Sequence, residues 1–86
     1  MSTTWSERAL EQLRTAGYRR GGARMRVIGY LDAQDCCVAA QDIHQALHAS
    51  GERVGLATVY RVLDALVGTR LVQRVDLGDG VARFEP

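Results

Sequence analysis

Two cysteines, two histidines, ten acidic residues and eleven arginines are the side chains of this 86-residue chain that could do chemistry. His44 and His48 stand four apart, stacked on one face of a helix, where two imidazoles could share a metal ion. They flank Ile43 and Leu47, so the plainer reading is a half-exposed pair at the edge of a core. Cys36 and Cys37 are adjacent, and bridging neighbours is strained. Two such cysteines read as free thiols or metal ligands rather than a disulfide. No paired Cys-x-x-Cys of a structural zinc site occurs. No nucleophile with its base, phosphate-binding glycine loop or pair of acids in a cleft can be assembled, so an enzyme is not expected.

Arginine is the richer signal. All eleven basic residues are Arg, which favours bidentate contacts to phosphate or guanine, although genomic base composition accounts for the absence of Lys equally well. Charge is segregated along the chain. Residues 1 to 30 hold six Arg against Glu7 and Glu11, a balance of +4; residues 31 to 52 hold four acids and no Lys or Arg, −4; the remainder is +1. The net charge of +1 argues against indiscriminate nucleic-acid binding, whereas a basic first third can form a local patch. Its centre is Tyr18-Arg19-Arg20-Gly21-Gly22-Ala23-Arg24, a basic loop leading into a helix. Such a junction reads either as a phosphate site or as a solvated turn.

The elements that must position these residues follow from periodicity. Thr4 to Glu7 has the spacing of a capping box. Ala9, Leu10, Leu13 and Ala16 then recur at helical intervals, and Gly17 ends the run. Trp5 reads as packing at the edge of the core. Val27, Ile28 and Leu31 mark a second helix, and Ile43, Ala46 and Leu47 a third, closed by Ser50-Gly51. Ala39 and Ala40 stand where the third would need a capping hydroxyl, so its start is expected to fray. A fourth helix enters from Gly55 and stops at Gly68. One stripe carries Leu56, Val59, Leu63, Leu66 and Val67, and the opposite face carries Ala57, Thr58, Arg61 and Ala65. Tyr60 lies on the border, its ring part core or its hydroxyl reaching out. A small, neutral front with one long cation behind suits entry into a DNA major groove about 12 Å wide.

Two short alternating runs beginning at Leu71 and Val81, about a Gly78-Asp79-Gly80 tip, predict a β-hairpin. Val72 and Phe84 would face the helices, and Arg74 and Arg83 would face away or along the edge, where a wing could touch a sugar–phosphate backbone or edge-strand charge could discourage sheet-to-sheet aggregation. The expected fold is α+β and mostly helical: one winged helix-turn-helix domain over residues 1–86, four helices followed by a two-stranded wing. Eighty-six residues suffice for one core. With no apolar run of membrane-spanning length and no signal pattern, a cytoplasmic location is expected.

The segment Gly51 to Leu63, with its Leu56-Ala57-Thr58-Val59-Tyr60-Arg61-Val62-Leu63 core, and Leu71-Val72 and Gly78 to Glu85 behind it, resembles the DNA-binding half of the ferric uptake regulator family of metal-dependent repressors. The similarity covers roughly Leu13 to Glu85. It implies that Tyr60 contacts thymine methyls and Arg61 a base or phosphate. Arg19 would enter an A·T-rich minor groove, where narrow tracts concentrate negative potential, and Arg24 would hold a phosphate. It also implies a second, metal-sensing dimerisation domain, which should begin about where this chain stops. Cys37, where the family often has histidine, and Glu85 would be half of an interdomain zinc or iron site.

The function expected is that of a metal-responsive transcriptional repressor, binding double-stranded DNA at an A·T-rich inverted repeat as a homodimer and controlling metal uptake or homeostasis genes. Ala57, Thr58, Tyr60 and Arg61 would lie in the major groove. A small-molecule substrate and a membrane are not expected partners. The alternative is a protein-interaction winged helix docking through Ala57, Val62 and Ala65.

Overall fold

The structure, a computed structural model, describes residues 4–17, 21–34 and 36–86. Its elements in chain order are α1 (Trp5–Thr15), α2 (Gly22–Asp32), β1 (Val38–Ala39), α3 (Ala40–Ala49), α4 (Leu56–Gly68), β2 (Gln73–Asp76) and β3 (Ala82–Glu85). The anticipated hairpin is therefore two strands of a three-stranded antiparallel sheet in the order β1-β3-β2. A two-residue strand carries no readable alternation, and only its partner in space identifies β1. Val38 pairs with Phe84, Ala39 with Arg83, and Arg74 with Phe84.

The core lies where the helices and the inner face of the sheet converge. Leu13, Val27, Ile28, Leu31, Ile43, Val59, Leu63 and Leu66 are wholly buried, with Val72 and Phe84 closing it from the sheet. Trp5 sits at its margin, its indole Nε1–H donating to the Leu71 carbonyl at 3.0 Å and tying α1 to the end of α4. Ala16 lies beyond α1 and is exposed, so Ala9 and Leu13 carry that helix's buried stripe with Leu10 half-buried beside them.

Helix ends correct the sequence reading in three places. The start of α3 is held although Ala39 offers no capping oxygen: the Asp42 carboxylate accepts the Ala39 N–H at 3.1 Å, and Ala39 is also paired to β3. Helix α4 does not stop before Gly68 but includes it. The left-handed residue that ends it is Arg70, at φ 62°. There the Arg70 N–H donates to the Val67 carbonyl and the Leu71 N–H to that of Leu66. The same pair of bonds ends α3 around Gly51, at φ 83°. Leu71 and Val72 both donate to the Leu66 carbonyl, so they close the helix and the strand begins only at Gln73.

The buried stripe of α4 is also wider than expected. Val62 and Ala65 are 8% and 7% exposed, while Leu56 and Val67 are half-buried. Ala65, expected on the outward face, belongs to the core because α2 as well as α3 packs against α4.

Candidate nucleic-acid interface

Gly21 and Gly55 occupy the positions preceding α2 and α4, and neither supplies a side-chain acceptor to the first N–H groups of its helix. Neither helix has an acidic residue in its first turn. Helices α1 and α3 differ in their acidic first turns, although a side chain at the preceding residue caps only α1. Thr4 accepts the Glu7 N–H, and each helix has an acid in that turn, Glu7 or Asp42. Free N–H groups and an uncompensated dipole make a helix start attractive to anions.

The start of α2 opens onto a shallow groove, walled by Gly21, Ala23 and Arg24 on one side and by Thr58, Arg61, Val62 and Ala65 of α4 on the other. Arg24 and Thr58 are half-buried and Arg61 is exposed. Packing of α2 on α4 thus brings together two arginines 37 positions apart in sequence. Ala57 and Tyr60 are exposed on the adjoining flank of α4, Tyr60 by 42%, so its ring stands outside the core. Arg19 lies outside the described residues, as do Tyr18 and Arg20 of the same basic loop. Ala23 was not singled out from sequence; its one signal is small size beside Arg24, which keeps that wall low.

The wing departs from its expected chemistry. Arg74 shares the face of Phe84 and Arg83 the opposite one, since paired residues point the same way and alternate along a strand. Arg74 is exposed. Arg83 instead turns back on the tip, one guanidinium nitrogen lying 2.8 Å from Asp79 Oδ2. Asp79 Oδ1 accepts the Val81 N–H at 3.0 Å, and Asp76 Oδ1 accepts that of Gly78 at 2.9 Å. The Val81 amide, and after it Arg83, hold the Asp79 carboxyl below its ordinary range.

Cys37 directly precedes β1, and continuing the register by one step sets it across from Glu85. Both are half-buried, and neither cysteine is in a disulfide. A thiolate and a carboxylate on neighbouring strands suit zinc or iron as donors, but a closed zinc site takes four ligands. Among the described residues no cluster of three or more His, Cys, Asp or Glu side chains could hold a metal, so the pair supplies two donors at most. His44 and His48 do stack, ring centroids 6.1 Å apart, without a third donor.

With this geometry in place, the comparisons are specific. The sequence model of the ferric uptake regulator family matches residues 15–86. The ferric uptake regulation protein of Pseudomonas aeruginosa is 41% identical over 75 residues, covering 86% of this chain and 56% of that protein. The zinc uptake regulation protein of Mycobacterium tuberculosis is 36% identical over 70 residues, 79% of this chain and 54% of the relative. Among solved structures, the Pseudomonas aeruginosa ferric uptake regulator with manganese superposes with a TM-score of 0.78 at 38% identity, covering 90% of this chain and 58% of that one. The chain thus spans little more than half the length of these proteins.

Proposed function

The chain belongs to the ferric uptake regulator family, and from that premise we propose that it is the DNA-reading part of a metal-responsive transcriptional repressor. The carrying observation is the groove: α2, without a side-chain or acidic cap, begins beside Arg24, and Thr58 and Arg61 of the equally uncapped α4 face it, while the first turns of the other two helices are acidic. Phosphate would sit at the groove, with Arg24 and Arg61 as its cations. Ala57, Thr58 and Tyr60 would face base edges, where small side chains permit close approach and the Tyr60 ring meets thymine methyls. Arg19 would read the adjoining A·T-rich minor groove. The protein acts by occupying promoter DNA, and its role is regulatory rather than catalytic.

Two copies on an inverted repeat would supply the affinity that one small module lacks. Cys37 and Glu85 would contribute two ligands to a zinc or iron site completed by residues beyond these, and control of metal uptake or homeostasis genes is the corresponding output. No helix of the described residues is long and apolar enough to cross a membrane. Docking of a protein on α4 through Ala57, Val62 and Ala65 is disfavoured, because the last two are buried.

Fluorescence anisotropy with a palindromic A·T-rich duplex and a G·C-rich control tests the proposal. Tighter binding to the first, lost in part by Arg19→Ala and by Tyr60→Ala, is expected. Equal affinity for both duplexes would overturn sequence-specific reading.

A further inference from the structure

We infer that Arg26 is a positioning residue: its guanidinium, seated over Gly22 and ion-paired with Glu52, sets the angle at which the start of α2 stands against α4. The inference rests on the DNA-binding reading above and concerns what orients the groove walls.

Arg24 and Arg26 are two residues apart and so point to different sides of α2, one into the groove and the other to the turn between α3 and α4. Arg26 Nε lies 2.5 Å from Glu52 Oε2 in an ion pair. Glu52 is a firm anchor. It follows left-handed Gly51, its own N–H donates to the Leu47 carbonyl at 2.9 Å, and two residues later Val54 is 7% exposed. The next residue, Gly55, immediately precedes α4. A hold on Glu52 is therefore a hold on the entry to α4.

The other end of the contact lies at the start of α2. A Cβ added to Gly22 would stand 2.5 Å from an Arg26 guanidinium nitrogen. The guanidinium thus occupies space that any larger residue at 22 would take, one turn below its own Cα. Because the obstructing atom ends a flexible side chain, Gly22→Ala displaces it at little cost to folding. It does remove the seat from which Arg26 reaches Glu52. The pair is itself partly exposed, 44% and 36% for the two side chains, so its contribution is one of geometry more than stability.

The test uses Glu52→Gln, Gly22→Ala and a control, Glu11→Gln, which breaks the exposed Arg14–Glu11 pair on α1. Residual dipolar couplings of α2 and α4 amides in the free protein read the interhelix angle, and anisotropy reads binding. Glu52→Gln and Gly22→Ala are expected to change the angle and to weaken binding to the A·T-rich duplex about five- to tenfold, the low end of one mismatched base pair. Melting temperatures should stay within about 3 °C of native, as for surface pairs. Glu11→Gln should leave the angle native. An unchanged angle in Glu52→Gln overturns the positioning role whatever happens to DNA. Native protein that fails to discriminate the duplexes overturns the DNA reading, and the couplings still decide the role of Arg26.

Discussion

At the scale of single residues, Arg61 carries the most specific expectation. It is exposed beside Thr58 at one wall of the groove. Arg61→Ala should cost about 1–3 kcal/mol in binding if it reads a base and should then relax preference at one position. If it only holds phosphate, affinity should fall evenly across sequences, and a panel of single-base operator variants separates the two. Asp79 yields a pH prediction. Its carboxyl is held low by the Val81 amide and by Arg83, so its contribution to the wing is present above the ordinary aspartate range and lost as pH falls through its folded value. Protection of the Val81 amide from exchange, relative to its intrinsic rate at each pH, should fall as the solution is acidified below about pH 4. An Asp79→Asn protein with the same acid profile as native would remove Asp79 as the cause. Arg83 shows how far composition can mislead. Its sequence position allows a phosphate contact or an anti-aggregation edge charge, and in space its guanidinium pairs with the tip of its own hairpin.

At the scale of elements, the end of α4 is the exception to local preference. The left-handed position that Gly51 fills after α3 is filled after α4 by Arg70, at φ 62°. A non-glycine residue there costs about 1–2 kcal/mol, and glycine also frees the unfolded chain. Arg70→Gly should therefore stabilise by up to about 1 kcal/mol, a rise in melting temperature of about 4–8 °C for a domain of this size. A melting temperature equal to native or lower would mean that the Arg70 side chain itself contributes. Core positions have the opposite sign. Leu63 is fully buried on α4, and Leu63→Ala should destabilise by about 2–5 kcal/mol, measured by urea unfolding. Helix positions were readable here because Val27, Ile28, Leu31, Leu63 and Leu66 repeat at the helical period and each repeat is buried. Ends were less readable, since caps such as Asp42 for Ala39 act through a side chain three residues away.

At the scale of the whole molecule, the net charge of +1 conceals a division of labour. Arg24 and Arg61 share a groove with the unguarded start of α2, while acids stand in the first turns of α1 and α3. Binding by a patch of this size should be strongly salt-dependent. With two to four phosphates neutralised per domain, log K against log salt should fall with a slope of about −2 to −4. A slope near zero would point to an apolar contact with a protein partner instead.

The order of helices, their inward faces and the hairpin at Gly78 to Gly80 were determined by the sequence alone, because periodicity and turn chemistry act between near neighbours. So was the family, carried by the run from Leu56 to Leu63 with its wing. Only the tertiary structure decided that Val38 and Ala39 join the sheet, that Cys37 comes opposite Glu85, that Ala65 is inside, and that Arg26 meets Glu52. Each of these depends on a partner far along the chain. Such pairings are set by how α2, α3, α4 and the sheet close around one core, and no local pattern records that closure.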